Sequence, residues 1–280
     1  MPTGIQWCTE VWNPTTGCDR ISEGCDNCYA LTMAKRLKAM GQAKYQNDGD
    51  PRTSGPGFGL TVHPDALTVP IGWRKSRLIF VNSMSDLGHA RVPLDFLAEV
   101  WAVMAVTPRH TYQILSKRSH RLSAALLADG FRYAMEAHAL IGYGFRGGIN
   151  WPLPNVWMGA SIELDRHVRR ADDLRETPAA VRFLSLEPLL GPLPSLDLTG
   201  IDWAIIGGES GSGAREMDLG WVRDLIGQCR ETGTAVFVKQ LGSRWAHANG
   251  GDSHGGDMSL WPEDLRVREF PRATEMTGVA

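Results

Sequence analysis

Six short apolar runs, rich in β-branched and aromatic residues, recur along the 280-residue chain, and polar residues follow each run at once. Their length of four or five residues is typical of buried strands rather than of helices. With one further strand predicted near residues 5–8, the count is about seven. The six runs cover residues 77–81, 111–115, 156–160, 181–184, 203–206 and 235–238.

Apolar residues at helical spacing lie between several of these runs. Residues 30–40 have an apolar and a basic face, and a second helix is predicted after Pro93, a residue favoured in a first helical turn. In a third helix, Asp218 is expected to cap the start and Gly233 to end it. The apolar stripe of that helix includes Cys229, which is therefore predicted to be a core residue.

Strands that alternate with helices predict an α/β fold with a parallel sheet and right-handed crossovers. Six to seven parallel strands suit an incomplete (β/α) barrel, although periodicity alone also allows an open, doubly wound sheet. Three stretches interrupt the alternation and are expected to be insertions or lids. The predicted organisation is a barrel of residues 1–242 with insertions at about 41–73 and 129–155, and a C-terminal extension of residues 243–280 that packs on or covers the barrel.

Composition narrows the function classes. A formal charge of -2 and a pI near 6.4 give no global basic field, so strong non-specific attraction to duplex nucleic acid is not indicated. No apolar run approaches the roughly 20 residues that span a bilayer, and no membrane partner is expected. The chain starts without a basic and then apolar signal, which predicts the reducing cytoplasm and no disulfides.

Three of the five cysteines fall within eleven residues, in the run GCDRISEGCDNCYA. Thiolates at C-x6-C-x2-C can converge on a metal if the loop wraps round it, and Gly17 and Gly24 provide backbone freedom for that. The predicted helix after Cys28 would place its positive end near the site. Three protein ligands leave one position open, as in metal centres that bind a ligand. The predicted metal ligands are Cys18, Cys25 and Cys28.

Zinc is the alternative to an iron–sulfur cluster at this loop. A structural zinc ion normally has four protein ligands, so Cys8, His63 or His89 would have to complete the set. The spacing of the three cysteines alone does not decide between the two metals. A zinc-stabilised protein that binds a ligand or nucleic acid, without radical chemistry, is therefore the second hypothesis.

Charged residues with no turn-forming value follow the predicted strands directly. Because the carboxyl ends of parallel strands form one rim, these side chains are candidates for a site, although they could equally be ion pairs at that rim. They are Lys117, Glu163, Glu187, Glu209 and Lys239. The run GGESGSGAR could form an amide nest for phosphate or carboxylate, with Arg215 as its cation, but it lacks the Lys-Ser/Thr of a P-loop.

Seven segments between residues 5 and 242 carry a family resemblance: WNPTTGCDRISEGCDNCYA, FVNSMSDLGH, ILSKR, VWMGASIE, FLSLEPLLGPL, IDWAIIGGESGSGAR and VFVKQLG. Together they resemble radical S-adenosylmethionine (SAM) enzymes, and most closely the phage-encoded three-Cys-motif family of radical-SAM-like proteins. The first cysteine spacing departs from the usual C-x3-C-x2-C. In addition, Asn27 stands where the superfamily has an aromatic residue, and Tyr29 follows the last cysteine.

The resemblance implies that the three thiolates hold a [4Fe-4S] cluster, which binds SAM at its fourth iron and cleaves it to start hydrogen abstraction. An electron donor such as flavodoxin or ferredoxin is then implied, together with a nucleobase or nucleotide substrate, free or in DNA, in phage-type DNA modification. The implied SAM-binding residues are Ser83, Ser85, Asp86, Lys117, Ser161 and Glu163. The remaining candidates for proton handling are Glu187, Glu209 and Lys239. The candidates for substrate binding are Ser185, Ser210, Arg215 and Gln240.

Overall fold

The computed structural model describes residues 4–271. Its strands are β1 (Glu10–Trp12), β2 (Thr15–Thr16), β3 (Thr61–Val62), β4 (Leu78–Val81), β5 (Thr111–Ser116), β6 (Val156–Ser161), β7 (Val181–Leu186), β8 (Trp203–Gly207) and β9 (Ala235–Gln240). Its α-helices are α1 (Tyr29–Ala39), α2 (Leu94–Val106), α3 (Ser119–Leu127), α4 (Asp129–Tyr143), α5 (Arg169–Glu176), α6 (Leu219–Thr232) and α7 (Ser243–Asn249). Short 3₁₀ turns complete the described elements.

Seven strands form one parallel sheet in the order β1-β4-β5-β6-β7-β8-β9. The strands of this sheet therefore lie side by side in the order in which they occur along the chain. A doubly wound sheet would instead reverse its direction at a switch point. The sequential order is that of a β/α barrel, and it confirms the predicted class, an incomplete (β/α) barrel. The strands β2 and β3 form a separate antiparallel pair.

The described chain divides into two compact units. The first reaches to Gly159 and includes Glu176–Ala180, and the second comprises Ala160–Arg175 and the residues from Val181 onward. Among the residues that the structure describes, no helix is both long enough and apolar enough to span a membrane.

In the first unit, the initial strand lies five residues further along than predicted. Residues 5–8 form a turn in which the Cys8 amide donates to the Ile5 carbonyl, and β1 begins only at Glu10. Trp7 is nevertheless buried, because its ring packs edge-on against Phe80 with centroids 4.6 Å apart. Burial without strand pairing therefore explains the apolar run that suggested a strand.

The predicted insertion at 129–155 begins with a 15-residue helix, α4, which packs against α2. Phe131, Met135 and Ala139 are its buried residues, and Phe131 meets the Trp101 ring edge-on at 5.7 Å. Exposed apolar residues such as Ile141 make the helical spacing of the buried residues hard to recognise in the sequence. The other predicted insertion, 41–73, contains only β3 and three 3₁₀ turns.

In the second unit, α6 confirms the predicted local signals. The Asp218 side chain accepts a hydrogen bond from the Gly220 amide, and Gly233 ends the helix with a φ of 74°. Cys229 is fully buried, as expected of a core residue. Residues 236–238 of β9 pair with residues 267–269, which belong to the predicted C-terminal extension. The end of that extension, residues 272–280, lies outside the described residues.

Candidate metal centre

Gly17 fixes the start of the cysteine loop. Its amide donates to the Met84 carbonyl at 3.0 Å, and its φ of 84° lies in the left-handed region. A Cβ atom at this position would lie 2.2 Å from the Gly59 carbonyl oxygen. The next amide, that of Cys18, donates to Phe58 at 3.3 Å. The first cysteine is therefore held against two chain segments that only glycine allows to approach.

Replacing Gly17 with alanine is expected to lower the free energy of unfolding by about 3 kcal/mol or more, because both the backbone conformation and the Gly59 carbonyl oppose a Cβ atom. Gly41→Ala is the matched control, since Gly41 also has a positive φ but a Cβ atom there would meet no heavy atom within 4 Å. This control should cost only about 1–2 kcal/mol. Urea unfolding measures both, and equal losses would show that the contact with Gly59 is unimportant.

Cys25 and Cys28 lie on consecutive tight turns before α1. The Cys25 amide donates to the Ser22 carbonyl at 2.9 Å within a 3₁₀ turn that also contains Gly24, so Gly24 adopts a right-handed conformation there. The Cys28 amide donates to the Cys25 carbonyl at 3.3 Å, and Cys28 occupies the cap position of α1. The third predicted ligand therefore stands at the start of a helix, as the sequence indicated.

Two of the three cysteines pack against one apolar cluster, and the third lies near both of them. Cys18 and Cys28 both pack against the group formed by Ala30, Ala34, Phe58 and Met84. Cys25 is close enough to raise the pKa of both other thiols by charge repulsion. The structure thus places the predicted metal ligands in one electrostatically coupled group.

Burial dominates the acid–base behaviour of this group. It raises the pKa of the Cys18 thiol to about 12, with a contribution from the Asp86 charge and opposition from Arg118. Burial also raises the pKa of Cys28, although the Ala30 and Leu31 amides at the start of α1 oppose it. These two residues are therefore thiols at neutral pH, and a bound metal ion would have to deprotonate them.

Arg118, which sequence analysis passed over in favour of its neighbour Lys117, contacts the cysteine loop directly. Its Nη1 donates to the Cys18 Sγ at 3.3 Å, and its Nη2 donates to the Asp19 carbonyl at 2.8 Å. Lys117 also lies near the site, because its charge lowers the pKa of Cys28. Two cationic residues, Lys117 and Arg118, thus follow β5 and lie close to sulfur atoms that would be negatively charged as thiolates. The ILSKR motif contained both residues, but only tertiary structure shows which one contacts sulfur.

The Asp86 carboxylate orients Arg118, and both of its oxygens accept hydrogen bonds from the protein. Its Oδ1 accepts from the Ser116 hydroxyl at 2.6 Å and the Gly88 amide at 2.8 Å. Its Oδ2 accepts from Arg118 Nη1 at 2.9 Å and from the Lys117 amide at 3.2 Å. Both oxygens of this predicted SAM ligand are therefore engaged within the protein.

The two predicted serines after β4 lie against the loop that follows β1. The Ser83 hydroxyl donates to the Asn13 side chain at 3.3 Å, and its carbonyl accepts from the Tyr29 hydroxyl. The Ser85 hydroxyl lies 2.5 Å from that of Thr15. The structure thus brings both serines to the cysteine loop, where they help to hold it.

A second group missed by sequence analysis surrounds Asp19, the residue after the first cysteine. Burial raises the pKa of Asp19, but hydrogen bonds from Thr53, His89 and Ser54 outweigh it and bring the pKa to about 2. His89 Nε2 lies 2.8 Å from the carboxylate, and its Nδ1 accepts from the Arg91 amide at 3.1 Å. Both ring nitrogens are thus occupied, so His89 has none to offer as a fourth zinc ligand.

The other two suggested zinc ligands are Cys8 and His63. Cys8 precedes β1, whereas the three-cysteine loop follows it, so they lie at opposite ends of that strand. His63 Nε2 lies 2.8 Å from the Thr16 hydroxyl. Within residues 4–271, no three ligand atoms within 4.8 Å of one another include a cysteine sulfur.

In the second unit, the predicted strand-end carboxylates form ion pairs. Glu163 is fully buried, and Arg170 Nη1 donates to its Oε2 at 2.9 Å and to the Ser161 carbonyl at 2.8 Å. Arg215 binds both oxygens of Glu209. The guanidinium of Arg215, the predicted cation of the glycine-rich loop, therefore faces Glu209 in this structure.

Glu187 and Lys239 form the more accessible pair. The Lys239 Nζ lies 2.7 Å and 2.9 Å from the two carboxylate oxygens, and the side chains are 18% and 21% exposed. Among the predicted substrate-binding residues, Gln240 donates to the Gly208 carbonyl at 2.9 Å, and the Ser185 carbonyl accepts from the Ile162 amide. Ser210 is half-buried in the glycine-rich loop. Of the three proton-handling candidates, Glu187 and Lys239 best retain access to a ligand.

The fold and the three-cysteine loop define an incomplete β/α barrel protein with a candidate metal centre. Residues 2–272 match the family described as protein of unknown function DUF5131, and the chain belongs to that family. No curated protein and no solved structure gives a match to this chain.

Proposed function

We propose that this protein is a radical SAM enzyme in which Cys18, Cys25 and Cys28 hold a [4Fe-4S] cluster. The observation that carries the proposal is the coupled group of three thiols on a β/α barrel, with the Arg118 guanidinium donating to one sulfur. Three protein ligands leave a coordination position for SAM. When bound, the cluster and SAM would supply one-electron cleavage of SAM and hydrogen abstraction.

The residues present suit an anionic, thiolate-ligated group. Arg118 and Lys117 place positive charge beside the sulfurs, and the amides at the start of α1 face Cys28. The apolar cluster beneath Cys18 and Cys28 excludes water from one side of the site. Gly17 and Asp86 hold the surrounding segments in place, so the protein provides a fixed and partly desolvated cradle.

SAM contacts are assigned to Ser83, Ser85 and Lys117. The family resemblance also implies Ser161 and Glu163 for the ribose, but Glu163 is fully buried and paired with Arg170, so it is not assigned to SAM. Asp86 is reassigned to positioning Arg118, because both of its oxygens are already engaged. Glu187 and Lys239 are the proposed proton-handling pair. The proposed substrate is a nucleobase or nucleotide in phage-type DNA modification, with electrons from a flavodoxin or ferredoxin.

Reduction of the reconstituted protein with dithionite in the presence of SAM is expected to release 5′-deoxyadenosine. Liquid chromatography measures the product, and Cys25→Ala should abolish it, whereas Cys229→Ala, a core change away from the loop, should retain it. A protein that carries four irons but never cleaves SAM would exclude the proposal. Stoichiometric zinc with no iron would do so as well, and would leave the zinc-stabilised binding protein as the function.

A further inference from the structure

A polar cavity of about 520 Å³ lies in the second unit, between the glycine-rich loop after β8 and the residues that follow β9. Among its lining residues are Ser212, Ser243, Arg244, His247, Asp252 and Ser253. Its volume falls within the range of small-molecule sites and exceeds that of a bare inorganic ion. Loops after the last strands of β/α barrels often bind phosphate groups, so the location itself suggests an anionic ligand.

The walls of this cavity are fixed by backbone contacts. A Cβ atom on Gly208 would lie 2.5 Å from the Leu241 carbonyl oxygen, so the two loops touch where only glycine fits. The Ser243 amide donates to the Glu209 carbonyl at 2.9 Å. The Ser243 hydroxyl accepts from the Gly211 amide at 2.9 Å and donates to the Ser253 carbonyl. Three segments of chain are thereby tied together around the cavity.

The ion pair of Glu209 and Arg215 shapes the glycine-rich loop. Both the backbone amide and the Nε of Arg215 donate to Glu209 Oε2, at 2.8 Å and 2.9 Å, which closes the five residues between them into a ring. Arg215 is consequently used by the loop itself. The cation available to a ligand must come from another residue that lines the cavity.

Arg244 supplies that cation, and the imidazole of His247 lies beside it as a further polar group. They lie one turn apart on α7, so their side chains share a helix face, and both line the cavity. In the described part of the chain, neither side chain has an ion pair or a hydrogen bond. The Asp252 carboxylate also lines the cavity, but its Oδ1 accepts from the His254 and Gly256 amides at 2.9 Å and 3.0 Å. These amides lower the pKa of Asp252, so its negative charge remains beside the cavity and Arg244 has to outweigh it when an anion binds.

We propose that this cavity binds the phosphate group of a phosphate ester, with Arg244 and His247 as the principal ligands and the Ser212 hydroxyl as a further donor. A guanidinium offers paired N–H donors to phosphate oxygens, and an imidazole one helical turn away adds a third N–H donor. The remaining volume accommodates the organic part of a nucleotide. Binding requires no metal, so it is independent of the proposed radical chemistry.

Isothermal titration calorimetry on the full chain tests this site, with inorganic phosphate, adenosine monophosphate and adenosine as probes. Saturable binding is expected for both phosphate compounds and not for adenosine. Arg244→Ala should weaken binding of adenosine monophosphate roughly tenfold or more, and His247→Ala should weaken it several-fold. Arg230→Ala is the matched control, because Arg230 is an exposed arginine of the same unit outside the cavity lining, and it should bind normally.

Three results would overturn the assignment: no saturable phosphate binding up to about 10 mM, adenosine binding as tightly as its monophosphate, or equal loss of affinity in Arg230→Ala and Arg244→Ala. Since Arg244 and His247 are exposed, both alanine variants should keep the thermal unfolding midpoint of the unaltered chain. Titrations with and without reconstituted iron separate this result from the metal centre. Phosphate binding to the metal-free chain would stand even if SAM were never cleaved.

Discussion

Cys25→Ala is expected to leave the anaerobically reconstituted protein with almost no iron, whereas the unaltered protein should contain about four irons and four sulfides per chain. Cys25 is one of the three predicted thiolate ligands, so its removal leaves only the sulfurs of Cys18 and Cys28 for the cluster. Two thiolates do not retain a cluster whose three protein-bound irons each need one. Iron and sulfide analysis, with the visible absorption of the cluster, measures the loss.

Cys8→Ala is the control that separates the two metal hypotheses. Cys8 is a buried cysteine of the same unit that precedes β1, and its replacement should leave the iron content unchanged. Under the zinc hypothesis it was a candidate fourth ligand, and its loss would lower the zinc content instead. Full iron in Cys25→Ala, or a zinc content that falls in Cys8→Ala, would contradict the three-thiolate cluster.

Local signals allowed much of the fold to be predicted from the sequence. The ends of α6 followed from Asp218 and Gly233, because a capping carboxylate and a left-handed glycine act within a few residues of their own position. All six apolar runs form strands of the parallel sheet, and their short apolar pattern is likewise a local signal. The errors arose where burial came from distant packing, as at Trp7, whose partner Phe80 is far along the chain.

In the candidate site, too, features that are local in the sequence could be predicted, and contacts between distant residues could not. The three cysteines are sequence neighbours, so their spacing alone predicted a shared site. Partners of charged residues could not be predicted, since Lys239 pairs with Glu187 across 52 residues and Arg118 reaches Cys18 across 100. Sequence reasoning proposed the charged strand ends as candidates, and it left open which of them were ion pairs.

Arg118→Gln is expected to lower the midpoint reduction potential of the reconstituted cluster. The guanidinium donates to the Cys18 sulfur, and a positive charge beside the cluster stabilises its more negative, reduced state. At an effective dielectric constant of about 20, two unit charges about 6 Å apart interact by about 2–3 kcal/mol. This corresponds to a shift on the order of 100 mV for one electron. A redox titration followed by electron paramagnetic resonance measures it without reference to turnover.

Arg118→Lys keeps the charge and should recover most of the potential, because charge rather than the forked geometry carries the effect. Arg121→Gln serves as the matched control, since Arg121 lies in α3, the helix that follows Arg118, but donates to the Leu87 and Val92 carbonyls instead of sulfur. Its shift should be much smaller. Because Asp86 loses its cation in Arg118→Gln, a loss of stability is also expected. Arg118→Gln/Asp86→Asn removes both charges and leaves the net charge of the pair unchanged, so the potential of this double variant should lie close to that of the unaltered protein. Equal potentials in Arg118→Gln and the unaltered protein would mean that Arg118 only holds the loop together.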